Sequence, residues 1–305
     1  MKAVVTGGTG FVGSALVSEL VRQGWRVECL CRRRPAVGAP AVTYHEADCR
    51  DSGALTAAFR RCGEGATLFH LAAALPTHQP TPDTETLRQV NALAPLRLFE
   101  AALAMGVPRI VHASSVTVIG TPSLRPIVES APASPISPYA ASKLEGERHA
   151  EHLRESAGLN IASLRISSCY GPGMNEASVL PTFVRAAISN QPLTWFGTGA
   201  RSQNFVHVGD VVRAFLLAAE SRATGVFNIT GPESISMKRL AELVVRLVPG
   251  TASTAAAAGV ADPAEDIRWE FDGSRARMAL GYTPATGVVE GITGYADSMM
   301  RAQKA

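Results

Sequence analysis

Lys2-Ala3-Val4-Val5-Thr6 runs directly into Gly7-Gly8-Thr9-Gly10-Phe11-Val12-Gly13. The first five residues form a short apolar run of the kind that makes a buried strand. From Val12 to Gln23 the periodicity changes: Leu16, Val17, Leu20 and Val21 recur at helical spacing, and Gly24 stands where a helix would stop. Gly7, Gly10 and Gly13 between them spell G-x-x-G-x-x-G. The first glycine permits a tight turn, the second lets backbone approach a pyrophosphate, and the third lets the helix pack close to the sheet. The free amides and positive dipole end of the helix then face the phosphates. A bare tight turn is the plain alternative, but a strand before and a helix after favour a dinucleotide cradle.

Outward from this loop, strand-like and helix-like segments alternate. Arg26 to Cys31, Val42 to His45, Thr67 to Leu71 and Arg109 to Ala113 have strand character, and Leu93 to Met105, closed by Gly106, has helical character. Such alternation predicts an α/β fold, a Rossmann-type doubly wound parallel sheet covered on both faces. After about Gly171 the texture changes, with helices at Leu180 to Ser189 and Met237 to Val248 and strands at Asn204 to His207 and Val226 to Ile229. Residues 1–170 are therefore expected to bind the dinucleotide. Residues 171–305 are expected to form a smaller, mainly substrate-binding C-terminal α/β part, interleaved with the core. The Ala-rich stretch Thr251 to Ala264 is expected to be a mobile surface segment.

Composition excludes several functions. Of 305 residues, 46% are apolar and 18% charged, as in an ordinary globular protein, and the net charge of +3 is too small to argue for nucleic acid or an acidic membrane. No stretch approaches the length of a membrane span, and the N-terminal apolar run is too short for a signal peptide. Five cysteines with no C-x-x-C pair fit neither a disulfide framework nor a metal site, and a reducing cytoplasm is the expected location.

Ser137-Pro138-Tyr139-Ala140-Ala141-Ser142-Lys143 has the form of a helix start, with Ser137 as N-cap and Pro138 in the first turn. Tyr139 and Lys143 are then i and i+4, on one helix face. A neighbouring ammonium favours phenolate, so Lys143 is expected to lower the Tyr139 pKa and fit it for proton transfer. Ser114 and Ser115 follow the fifth strand, where a hydroxyl can reach the same substrate oxygen. Cys31 ends the second strand where an acidic residue commonly holds the ribose, and Arg32, Arg33 and Arg34 follow, so NADP is favoured over NAD. Asp48 can accept from the adenine amino group or cap a helix. Leu71, Ala72 and Ala73, small for the most part, allow the cofactor to lie against backbone.

Thr6 to Gly13, His70 to Ala73, Ser114 to Gly120 and Tyr139 to Lys143 together resemble the extended short-chain dehydrogenase/reductase family, more closely its nucleotide-sugar epimerase and dehydratase branch. Tyr170-Gly171-Pro172-Gly173, Leu180 to Phe183, Phe196 to Gly199, Asn204 to Val211 and Asp272 to Pro284 extend the likeness over nearly the whole chain. The resemblance implies that Tyr139 is the general acid/base, that Lys143 holds the nicotinamide ribose, and that Ser115 bonds the reacting oxygen with Ser114 beside it. It places Gly7, Gly10, Phe11 and Val12 on the pyrophosphate, Ile166 and Ser168 near the nicotinamide, and two copies in a homodimer through Leu93 to Met105 and Tyr139 to Leu153.

Departures narrow the chemistry. Ser115-Val116-Thr117 stands where the 4,6-dehydratases of the branch carry Thr-Asp-Glu, so water elimination is disfavoured. Gln203-Asn204 stands where the family commonly has Arg-Asp, whose arginine grips a diphosphate, with Arg201 nearby as a possible substitute. Ser168 replaces an asparagine. His207 is expected to cap or pack a strand end, Asp210 to cap a helix beginning at Val211, Trp195 and Trp269 to form core or pocket wall, and Cys169 to be inert. The leading expectation is NAD(P)-dependent hydride exchange at a carbinol carbon of a nucleoside-diphosphate sugar or similar substrate. The rivals are an NADPH-dependent reductase of a non-sugar ketone or aldehyde and a non-catalytic dinucleotide sensor.

Overall fold

The computed structural model describes residues 1–78 and 80–304. Twelve strands occur among them: β1 Lys2–Thr6, β2 Arg26–Cys31, β3 Val42–Glu46, β4 Thr67–His70, β5 Arg109–Ser115, β6 Ile161–Ile166, β7 Ser168–Tyr170, β8 Leu193–Trp195, β9 Ser202–His207, β10 Gly225–Ile229, β11 Ser234–Ser236 and β12 Ala255–Ala257. The α-helices are α1 Phe11–Arg22, α2 Ser52–Cys62, α3 Thr84–Arg88, α4 Ala94–Ala104, α5 Pro138–Ala157, α6 Val179–Ile188, α7 Val208–Glu220, α8 Met237–Leu247, α9 Ser274–Leu280 and α10 Val288–Lys304.

Seven strands form one parallel sheet in the order β10-β6-β5-β4-β1-β2-β3. The chain starts at β1, winds outward through β2 and β3, then returns beside β1 with β4 and winds the other way. That reversal puts a crevice at the carboxyl ends of β1 and β4, where open α/β sheets bind ligands. Apolar clusters fill both faces: α1 and α7 cover one, α2, α4 and α5 the other. A third cluster joins α6, α8 and α10. β10 and α7 come from the C-terminal half yet belong to the main sheet and its cover.

At the crevice the glycines act through space as well as torsion. Gly7 has φ +72, and a Cβ there would lie 2.6 Å from the Ala72 amide nitrogen. A Cβ on Gly13 would collide with the Gly7 carbonyl oxygen. The start of α1 thus rests on β1 and on the turn after β4. Gly24 ends α1 as expected, with φ +77 and its amide bonded to the Val21 carbonyl at 2.9 Å.

Three expectations change. The helix expected from Leu93 begins at Thr84 and passes through a π-turn, Gln89–Leu93, before α4. Pro95 has no N–H to give the Asn91 carbonyl four residues back, which frees that turn to widen. The freed carbonyl packs against Gly146 of α5, where a Cβ would collide with it. The Asn91 side chain meanwhile bonds the Ala74 amide at 2.8 Å and the Ser142 hydroxyl at 3.0 Å.

Thr251 to Ala264 contains β12, paired in parallel with β8, so it is an ordered strap rather than a mobile stretch. Its backbone is tied down, with the Ala258 amide on the Trp195 carbonyl at 2.8 Å and the Gly197 amide on the Val260 carbonyl at 2.7 Å. Finally, α7 begins at Val208 with His207 as its N-cap, so Asp210 is not the cap. Asp210 instead accepts from the amides of Ala285 and Thr286, pinning the C-terminal segment.

Gly13→Ala is expected to destabilise the fold by about 1–3 kcal/mol, the usual cost of forcing atoms into a packed contact. Thermal unfolding together with titration of NADH fluorescence checks this. Unchanged stability and cofactor affinity in the Gly13→Ala variant would contradict the close packing of α1 on Gly7.

Candidate active site

The glycine cradle fits a dinucleotide on its own geometry. Gly10 is the N-cap of α1 and offers no side-chain acceptor, so the first amides of the helix are left for an anion. Phe11 and Val12 are half-buried at this helix start, and Leu71, Ala72 and Ala73 are half-buried along the facing turn. The Thr6 hydroxyl ties the two sides together, bonding His70 Nδ1 at 2.8 Å and accepting the Ala72 amide at 3.3 Å. His70 and His112 lie buried beneath this floor, and burial first, then the Lys143 charge, holds both imidazoles neutral, His70 down to about 3.

Alternation along β5 separates the two serines. Residues 111 and 113 face the α1 and α7 side, while 110 faces the α4 and α5 side. Ser114 follows the second set: it is buried and donates to Glu147 Oε2 at 2.7 Å. Ser114, expected beside Ser115 as a cofactor-binding residue, therefore turns its hydroxyl under α5 instead, because successive strand residues face opposite sides. Ser115, at the strand end, shares a hydrogen bond with the Thr117 hydroxyl at 2.9 Å and interacts with the Tyr139 phenol.

Tyr139 and Lys143 sit in the first turns of α5, whose N-cap Ser137 accepts the Ala140 amide at 3.2 Å. Lys143 is 3% exposed and its Nζ donates to the Ala113 carbonyl at 2.5 Å. Burial pushes the Lys143 ammonium down to about 8, opposed by the Glu147 carboxylate. The phenol of Tyr139 does not follow the sequence expectation. Loss of water around it pushes its pKa up to about 12, and only the Ser115 hydroxyl pulls it back. Lys143 is engaged with Ala113, and desolvation outweighs it.

Next to Ser115 opens a cavity of about 80 Å³ lined by Val116, Thr117, Ser167, Ser168, Gln203, Asn204, Trp269 and Phe271. Trp269 and Phe271 stack in its wall with ring centres 5.8 Å apart. Ser168 and Gln203 thus share one cavity, and Ile166 is half-buried at the end of β6, two residues before Ser168. Arg201 does not line this cavity; its Nε pairs with Asp262 at 2.8 Å, and Asp262 is largely buried. Sequence reasoning missed this partner because Asp262 lies in the stretch expected to be mobile. Cys169 is a free thiol whose pKa burial raises, as suits an inert side chain. Arg32 and Arg33 are exposed beyond β2. Asp48 accepts the Arg50 amide and pairs with its guanidinium at 2.6 Å, while Asp51 caps α2.

Residues 3–230 match the NAD dependent epimerase/dehydratase family. The chain belongs to it. This member is 32% identical to a UDP-glucose 4-epimerase of Mycolicibacterium smegmatis, over 96% of each chain. Its fold superposes on the UDP-glucose 4-epimerase of Thermotoga maritima with UDP-glucose at a TM-score of 0.89, with 25% identity, covering 99% of this chain and 100% of the other. It also superposes on MoeE5 in complex with UDP-glucose and NAD at a TM-score of 0.84 and 30% identity, covering 99% of this chain and 100% of that one. The protein is thus an NAD-dependent enzyme of the extended short-chain dehydrogenase/reductase type. The dinucleotide in the MoeE5 complex is NAD, which runs against the lean to NADP drawn from Arg32 to Arg34. No described helix is long and apolar enough to cross a membrane.

Without cofactor, Tyr139 is expected to stay a neutral phenol up to at least pH ~10, the ordinary midpoint of tyrosine. The ultraviolet difference titration of wild type minus Tyr139→Phe reads this directly. A phenolate appearing near neutral pH in that difference would show that Lys143 already activates Tyr139.

Proposed function

We propose that this enzyme exchanges hydride at a carbinol carbon of a nucleoside-diphosphate sugar or closely similar hydroxylated substrate, with Tyr139 carrying the proton. The observation that supports this most is the meeting of the Ser115 hydroxyl and the Tyr139 phenol, with Lys143 one turn along the same helix and Val116 and Thr117, which follow Ser115, lining the Trp269-walled cavity. The nicotinamide, when bound, supplies the hydride acceptor or donor. Ser115 orients the substrate oxygen by hydrogen bonding, steadied by Thr117. Lys143 keeps two protons to give the ribose hydroxyls beyond the one given to Ala113. Its ammonium beside the site favours the phenolate at the moment of transfer, offsetting the desolvation that holds Tyr139 neutral.

Gly7, Gly10, Phe11, Val12 and Gly13 would hold the pyrophosphate, and Leu71, Ala72 and Ala73 the face of the cofactor. Val116 and Thr117 offer neither an acid nor a base for elimination, which favours epimerisation or simple oxidation over dehydration. NAD is the cofactor in this reading. Use of NADP is a second reading, favoured by the exposed Arg32 and Arg33 and by Cys31 in place of an acidic residue. The homodimer, through the outer faces of α4 and α5, and the cytoplasmic location are carried forward on the resemblance and on five free cysteines.

Tyr139→Phe is expected to cut turnover by at least about 100-fold, the usual worth of a positioned proton-transfer group, with NADH affinity kept. Mass spectrometry of small molecules released on denaturation adds a second readout. Retained NAD supports an epimerase that recycles its cofactor. An empty protein that prefers NADPH supports a reductase, and full turnover in the Tyr139→Phe variant would end the assignment of Tyr139.

A further inference from the structure

The small cavity after Ser115 bears on which sugar ring the proposed reaction accepts. It is joined to the reacting residues through Thr117, whose hydroxyl shares a hydrogen bond with that of Ser115 at 2.9 Å. Its walls come from four places: Val116 and Thr117 after β5, Ser167 and Ser168 where β6 passes into β7, Gln203 and Asn204 on β9, and Trp269 with Phe271. Two of the polar side chains are already committed to the fold. Ser167 donates to Asn204 Oδ1 at 2.9 Å, where the Gly231 amide also donates at 2.7 Å. Asn204 Nδ2 donates to the carbonyls of Gly231 and Glu233 at 3.3 and 3.1 Å. The other two are open. Ser168 and Gln203 are half-buried, and among the described residues no hydrogen bond engages their side chains. A hydroxyl and a carboxamide can each donate and accept, which is what a sugar hydroxyl asks of its partners. A carboxylate only accepts, and it brings a charge.

Among the described residues, no charged side chain lines this cavity. Three arginines adjoin the lining residues in the chain, and each is engaged elsewhere. Arg165, two residues before Ser167, is buried with Glu147. Arg201, two residues before Gln203, is paired with Asp262. Arg268, next to Trp269, lines the neighbouring crevice and donates to the carbonyls of Glu265 and Ile267. The Lys143 ammonium is seated on the Ala113 carbonyl. Trp269 and Phe271, stacked 5.8 Å apart, make the remaining wall apolar. A carboxylate placed here would lose water and meet no counter-charge, whereas a hydroxyl would exchange water for Ser168 or Gln203. We infer that Ser168 and Gln203 are specificity-determining residues: they read the hydroxyls of an uncharged sugar ring, and the site rejects the same ring when it carries a carboxylate. This rests on the sugar-nucleotide reading of the site proposed above.

UDP-glucose, UDP-glucuronate and UDP-glucuronamide share one carrier, so differences among them report on the ring alone. The acid and its amide match in size and differ in charge. Titration calorimetry on the NAD-loaded Tyr139→Phe variant reads their affinities, and kcat/KM of the wild type reads their turnover. The expected result is that UDP-glucose and UDP-glucuronamide bind more tightly than UDP-glucuronate by about 100-fold or more, the usual penalty for a buried charge left without its partner. Gln203→Lys, which sets an ammonium in the cavity, should narrow that gap by about tenfold or more, the effect of a close opposite charge.

Acid and amide bound alike would overturn the inference, because a cation such as Arg268 would then reach into the cavity. Acid and amide rejected alike would overturn it too, since size rather than charge would be the discriminator. A gap that Gln203→Lys leaves unchanged would remove Gln203 from the role. If that variant fails to fold, the comparison among the three ligands decides alone. Binding of UDP-glucose and UDP-glucuronamide no tighter than that of UDP would overturn the sugar-nucleotide reading itself, and this inference with it.

Discussion

The contact between Gly13 and the Gly7 carbonyl is the constraint on which the site depends. With no room for a Cβ between them, α1 starts against β1 rather than a side chain's width away. Gly7 is pressed in the same manner onto Leu71 and Ala72, so the turn after β4 shares the same contact. The first amides of α1, the end of β4 and the hydroxyl of Thr6 therefore hold fixed relative positions at the point where the strand order reverses. A parallel sheet brings every strand's carboxyl end to one edge, and the glycine contacts turn that edge into a defined floor.

The period of two in β5 then divides the labour. Ser115 meets Thr117 and Tyr139, while Ser114 and His112 face the underside of α5 and α4. Polar groups on that underside are buried and bonded to one another, His112 Nδ1 with Ser163, Ser114 with Glu147 and Glu147 with Arg165, while His112 Nε2 is left without a partner among the described residues. Such a network is costly when incomplete and rigid when complete, and here it lies under the helix that carries Tyr139 and Lys143. Tyr139 and Lys143 lie in the first turns of that helix, and the fixed charge pair of Glu147 and Arg165 begins one turn further along.

Much of this was legible in the chain itself. The glycine spacing, the N-cap and proline ahead of Tyr139, and the alternating strands each follow from local rules that the tertiary structure leaves standing. What escaped has a physical reason in each case. The opposite directions of Ser114 and Ser115 follow from strand alternation, which motif matching ignores. The π-turn was signalled by Pro95, but only the carbonyl of Asn91 packed on Gly146 shows what the widened turn accommodates. The strap at Thr251 to Ala264 has small side chains that carry no pattern; its order comes from backbone bonds to β8 and to the loop after it, which no single-sequence reading can see. The high phenol pKa of Tyr139 is a property of burial, and burial is set by the whole fold.

That strap also bears on the substrate. Asp262 lies on it and takes the guanidinium of Arg201, the side chain expected to stand in for a diphosphate-gripping arginine. Gln203, which does line the cavity, is neutral. Arg239, in the neighbouring crevice of about 470 Å³, is paired with Glu233 at 3.0 Å. Arg201 and Arg239 therefore already have an anion, whereas Arg268, which lines the same crevice as Arg239, is bonded among the described residues to the carbonyls of Glu265 and Ile267 and to no carboxylate, so only at the first two must an arriving diphosphate displace one. Displacement exchanges one ion pair for another and yields less net attraction than an unpaired arginine would. Among these arginines Arg268 thus offers an arriving anion more than Arg201 or Arg239 does, and it does so in a crevice that shares Asn204 and Phe271 with the smaller Trp269-walled cavity.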